Sequence, residues 1–134
     1  MQDLDQARNL LKKNNATLVI VKKSEILFET NSSGIHGLLE AIERMGRELE
    51  GSSVADRLVG EAAAQLCAYS NVKKVYAVTL SKCGKDILEK HEIACKYENL
   101  VPHILNFDKT DLCPFEKLVA GSSSPEEAYE RLKQ

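Results

Sequence analysis

The sequence predicts an α/β fold: a three-layer α/β/α domain on a mixed sheet of about five strands. Three observations lead there. In the second half of the chain, strand-like apolar runs alternate with helical segments, the pattern of parallel strands joined by helices. Near the start, "TLVIV" and "EILFE" are two β-rich runs separated by Lys-Lys-Ser, which reads as an antiparallel hairpin and makes the sheet mixed. Finally, no repeat, low-complexity tract or linker divides the 134 residues, a length suited to one domain (1–134) around one core.

Each element follows from local pattern. "DLDQARNLLKKN" predicts a first helix, with Leu4, Ala7, Leu10 and Leu11 at helical spacing and Asp3 or Asp5 in its first turn. After the hairpin, "TNSSG" breaks the pattern. From Gly34 to Leu49 a helical stripe runs through Ile35, Leu38, Leu39, Ile42, Met45 and Leu49. "EGSS" ends it, and "SSVADRLVGEAAAQL" reads as the next helix, from Ser52 to about Ala68. In that reading Ser53 and Asp56 form a capping box, and Gly60 lies inside the helix among alanines that allow close packing on a sheet. "VKKVYAVTL" is a nearly continuous apolar strand of the central type. Ser81 then caps the helix "SKCGKDILEKHEI". "ACKYE" and "VPHILNF" predict two further strands, and "DLCPFEKLVAG" a short helix with Pro114 at its first position. In "SSSPEEAYERLKQ", Ser124 caps, Pro125 leads in and Glu127 completes a capping box.

Composition excludes several classes of function. Eighteen basic and twenty acidic residues leave a formal charge of −2, which gives no bulk electrostatic basis for nucleic-acid or membrane binding. "LKKNN" and "VKKSE" are too short to change that balance. The run "ATLVIV" is about a third of what a bilayer requires. The acidic, polar start "MQDLDQARNLLKK" does not resemble a secretory signal, so the expectation is a cytoplasmic protein. Cys67, Cys83, Cys95 and Cys113 are then expected as thiols, and no C-x-x-C pair suggests a zinc ribbon.

Helix, hairpin, then helix-preceded strands is an order that resembles the cytidine-deaminase-like fold. Those enzymes open one helix with a His/Cys-x-Glu signature and the next with Pro-Cys-x-x-Cys; the His or Cys and the two later Cys hold zinc, while the Glu shuttles protons. Here "VADR" (Val54 to Arg57) resembles the first signature, and "TLSKCGKDIL" takes the place of the second. The chain is more similar still to an uncharacterised bacterial family, domain of unknown function 1893, assigned to the deaminase-like superfamily. "SGIHGLLEAIE", "GSSVADRLVGEAAA", "VKKVYA", "LEKHEI" and "NFDKTDLCPFEKLV" carry that likeness, over roughly residues 15 to 130. The departures are chemical. Val54 stands where a zinc ligand is required, and Cys83 has Asp86 rather than Cys three residues on. One Cys and one Asp do not make the three-ligand site that zinc-dependent deamination needs. No cofactor and no metal ligands are assigned.

Candidate site residues remain. Asp56 stands where the resemblance would put the proton-shuttling Glu; capping its helix and lining a pocket are both open to it. Cys113 is placed just before or at a helix N-cap, where backbone N–H groups favour a thiolate, with Glu116 in the first turn and Asp111 opposing. A cap with a packed thiol is the simpler alternative. Two helix starts, at Ser52-Ser53 and at Ser81-Lys82, are expected to converge at one end of the sheet, under the loop carrying Ser32, Ser33, Gly34 and His36. The resulting expectation is a deaminase-like domain without a zinc triad, non-catalytic or weakly catalytic, binding a nucleoside- or nucleotide-like small molecule through Ser52, Ser53, Asp56, Ser81, Lys82 and Cys113. The alternatives are an enzyme of unassigned reaction using Asp56 and Cys113, with Glu116 a further candidate, and a homo-oligomeric interaction protein.

Overall fold

The structure is a computed structural model that describes residues 2–32 and 35–133. Helix α1 (Gln2–Lys13) buries Leu4, Ala7 and Leu11, spaced three and four residues apart. Its Asp3 carboxylate accepts the Lys23 and Ser24 N–H groups at 2.8 and 2.9 Å, tying the helix start to the next turn. That turn joins β1 (Leu18–Lys22) to β2 (Glu25–Thr30). Lys23 and Ser24 both have positive φ, 51° and 68°, the backbone of a two-residue hairpin turn that matches the twist of its strands.

Helix α2 (His36–Met45) yields at Gly46, φ 53°, to a 3-10 turn over Gly46–Leu49, so the predicted helix over 34–49 is two pieces. Its predicted first residue, Gly34, and its neighbour Ser33 lie outside the described residues.

The largest correction follows. Ser53–Val59 is a strand, β3, and the helix predicted from Ser52 begins only at Glu61, as α3 (Glu61–Tyr69). Gly60 separates the two, with extended φ −108° and ψ −160°, at the N-cap rather than inside a helix. Ser53 and Asp56 therefore form no capping box. The physical reason lies in β1: Val19 and Val21 pack on α1, while Leu18 and Ile20 pack in the opposite core. A strand buried on both faces needs hydrogen-bonding neighbours at both edges, and β3 supplies the second.

Strand β4 (Lys74–Ser81), helix α4 (Lys82–Lys90) and strand β5 (Ala94–Val101) complete the sheet, in order β2-β1-β3-β4-β5. β1 is antiparallel to β2 and β3, and β3, β4 and β5 run parallel. The sheet is mixed and five-stranded, as predicted, although its membership differs. "VPHILNF" is not a strand: β5 ends at Val101, where Pro102 has no N–H to offer a ladder, and only a bridge between Leu105 and Leu112 follows. "ACKYE" is instead the first part of the longer β5.

Helices α5 (Pro114–Val119) and α6 (Pro125–Leu132) close the chain, with Ser124 Oγ accepting the Glu127 N–H at 3.1 Å. One face of the sheet packs on α1 through Ala55 and Tyr76. The other packs on α2, α3 and α4 through Val54, Val75, Leu38, Leu66 and Leu88. No helix among the described residues is long and apolar enough to cross a membrane.

Candidate functional site

Strand register decides which predicted residues can meet. Ser53 pairs with Lys74 at the start of β4, whereas Val59 pairs with Leu80 at its end. Six residues of strand separate the two levels by about 20 Å. Ser52 and Ser53 therefore sit at the amino end of β3, and Ser81 and Lys82 at the carboxyl end of β4: the predicted convergence of these two pairs does not occur. Ser81 does cap α4, its Oγ accepting the Gly84 N–H at 3.0 Å. Lys82 is exposed.

Three other predicted residues do meet. Asp56, Cys113 and Glu116 line one cavity of about 240 Å³ between β3, the starts of α3 and α5, and the segment before α5. Most of its remaining wall is apolar: Ile35, Leu58, Ala63, Ile104 and Phe115.

Asp56 is only 9% exposed. Burial raises its carboxyl from 3.8 to about 7, against the lowering effect of backbone N–H groups of Leu58 and Arg57. The adjacent Arg57 is no counterion. Its Nε donates to the Ala16 carbonyl at 2.8 Å and its Nη2 to the Leu11 carbonyl at 3.0 Å, so the guanidinium is spent on the end of α1. The one hydrogen bond to the Asp56 side chain among the described residues is long, 3.4 Å from the Leu58 N–H.

Glu116 is placed differently. Pro114 occupies the first position of α5, which puts Glu116 at the third and aims it at α3. Its two carboxylate oxygens accept the Glu61 and Ala62 N–H groups, each at 2.8 Å, filling two orphan donors that the glycine N-cap leaves open. Gly60 makes this possible: a Cβ there would stand 2.2 Å from Glu116 Oε1 and 2.7 Å from Ile104 Cγ1. A Cβ on Gly84 would meet the Gly60 carbonyl oxygen at 2.9 Å, so α4 also begins hard against this point. Burial, and then the Glu116 carboxylate, raise the Glu61 carboxyl.

Cys113 is half-buried at the N-cap of α5. Its N–H donates to the Ile104 carbonyl at 3.0 Å, and its side chain makes no cap bond. Asp111, expected to oppose it, is engaged by the Lys117 ammonium and the Leu112 N–H; the Lys117 bond contributes most to holding its carboxyl below the usual range. Among the other thiols, Cys67 is buried and pushed up by burial and then by the Asp56 carboxylate. Cys83 is exposed and raised by desolvation and by Glu61, Asp86 and Glu116. Both shifts run opposite to activation. His36 is exposed and sets its ring edge-on to Phe115, 5.5 Å between centroids.

The residues present do not fit a catalytic zinc ion. "VADR" lies within β3 and opens no helix; α3 starts Gly60-Glu61-Ala62-Ala63-Ala64, and α4 offers Cys83 alone. Among the described residues no group of three or more His, Cys, Asp or Glu is arranged to hold a metal.

The sequence reading missed Thr17, Ile35, Ile104 and Phe115 as lining residues, and it missed that Gly60 is the contact point of three elements. The glycine held a usable signal: β-branched Val54 and Val59 precede it, and the alanine run begins only after it.

Comparison with known proteins supports the architecture. The model of a domain of unknown function (DUF1893) matches residues 6–134. A crystal structure of a DUF1893 family protein (TM1506) from Thermotoga maritima superposes with a TM-score of 0.90 at 29% identity, covering 98% of this chain and 88% of that one. RibD of Acinetobacter baumannii (form 2) gives 0.52 at 20% identity over 71% of this chain and 34% of its own. The dCMP deaminase of cyanophage S-TIM5 gives 0.52 at 16% identity, over 72% and 94%. The latter two likenesses establish a cytidine-deaminase-like fold. No match was found among curated proteins.

Proposed function

This chain belongs to the DUF1893 family, and on that footing we propose that it is a metal-independent binding domain for a nucleoside-like nitrogen heterocycle, held at Asp56. One observation carries the reading: a buried carboxyl without a counterion lines a largely apolar cavity beside the carboxyl ends of parallel strands. A carboxyl that titrates near neutrality presents one donor and one acceptor when protonated. That pair complements an adjacent N–H and C=O, or a ring N and an exocyclic N–H, on the edge of a nucleobase. The volume, about 240 Å³, lies below the ~300–1,000 Å³ of drug-sized sites and suits a single ring with a small substituent. Leu58, Ile104 and Phe115 offer apolar surface to the ring. A phosphate is not provided for, because Glu116 already holds the α3 amides to which an anion would bind.

Calorimetric titration with free nucleobases and unphosphorylated nucleosides tests the proposal. At least one is expected to bind saturably, and Asp56→Ala, which removes both the donor and the acceptor, is expected to weaken it about tenfold. Absence of binding by all of them at millimolar concentration, or equal binding by the folded variant, overturns it.

A further inference from the structure

The sequence contains two Lys-Lys pairs far apart, "VKKSE" and "NVKKV". Strand register brings them together. Val21 of β1 pairs with Ser53 of β3, and Ser53 with Lys74 of β4, so Lys22-Lys23 and Lys73-Lys74 flank the same end of the sheet. They line one groove of about 530 Å³, together with Ser53 and the first residues of α1. This end is opposite the Asp56 cavity.

Three features distinguish the groove from an ordinary solvated lysine surface. None of the four lysines takes part in an ion pair among the described residues, although six such pairs form elsewhere, and only Lys22 has a protein partner for its ammonium, the Glu48 carbonyl at 3.2 Å. The one carboxylate in the lining, Asp3, accepts the Lys23 and Ser24 N–H groups and offsets only one of the four lysine charges. The amino end of α1, twelve residues long, also opens here, its dipole offset in part by Asp3 and Asp5 in the first turn. Four lysines against one carboxylate leave the groove electropositive, and lysine ammoniums are point-charge partners for phosphate oxygens.

We infer that this groove is a binding site for a compact oligophosphate, separate from the Asp56 cavity. A compact anion is favoured over a nucleic-acid strand because the chain as a whole carries a charge of −2.

Calorimetry with inorganic triphosphate on the full chain is the test. Saturable binding near one equivalent is expected, weakening several-fold between 50 and 200 mM salt. Lys73→Gln/Lys74→Gln is expected to lower affinity about tenfold or more. Lys13→Gln/Lys109→Gln, a pair of exposed lysines away from the groove, is expected to change it less than about twofold. Circular dichroism establishes that both variants are folded, and Lys22→Gln serves as the replacement should the first fail. Four results overturn the inference: no saturable binding at millimolar triphosphate, equal losses in both double variants, equally effective competition by sulfate at matched ionic strength, or binding of a single-stranded RNA oligomer where triphosphate does not bind.

Discussion

Asp56 and Glu116 line one cavity, yet their surroundings are opposite. Glu116 is met by two short N–H donors and the positive end of α3. Asp56 has a single long hydrogen bond, no cation, and an apolar wall around it. The first carboxylate is a structural clasp between α5 and α3. The second is a buried group whose ionisation opposes folding. A carboxyl's position in a cavity therefore says little about its role until its donors have been identified.

The sharpest way to separate the two is pH. The Asp56 carboxyl is raised from 3.8 to about 7, so the folded state holds a proton that the unfolded state has released across that window. Its contribution to stability is present below pH 4, is lost as pH rises to 7, and stays lost above. The full shift corresponds to about 4 kcal/mol. Asp56→Asn should then be more stable than the parent by up to about 4 kcal/mol at pH 8 and by under about 1 kcal/mol at pH 4, read from urea unfolding at the two pH values. A pH-independent difference would mean that Asp56 is not held neutral.

Gly60→Ala breaks the comparison from the other side. Its Cβ collides with Glu116 and Ile104, and the two α3 amides lose their acceptor, for an expected loss of about 2–3 kcal/mol. Glu116→Ala should make the glycine substitution less harmful, so a double-mutant cycle is expected to show coupling rather than additivity. The smallest effect is at α4, which carries an ordinary local cap: Ser81→Ala is expected to cost about 1 kcal/mol by thermal or urea unfolding.

These elements also divide what was legible in the sequence from what was not. Ser81, Pro114 and Ser124 were readable because a cap is a contract between residues two or three apart. The hairpin was readable for the same reason. β3 was not, because "SVADRLV" looks helical by its spacing and becomes a strand only between β1 and β4. Glu116 was assigned to the first turn of its own helix, where it does sit, but its partners lie 54 and 55 residues earlier. Asp56 stands out in the sequence through the deaminase resemblance and an expected helix start, and that helix start is a strand. Its actual placement depends on strand pleat, which local pattern does not reveal.

The clasp also bears on the order in which the molecule assembles. During synthesis α3 is made before Glu116, so until Glu116 arrives its first two amides have only water as a partner. The contact closes a loop of 54 and 55 residues, which costs more chain entropy than the two-residue turn of the hairpin. Until that closure, the cavity at Asp56 lacks the wall that Cys113, Phe115 and Glu116 provide. One wall of the pocket is thus a product of the last fifth of the chain, and a nascent chain reaching only to β5 has the sheet without the closed site.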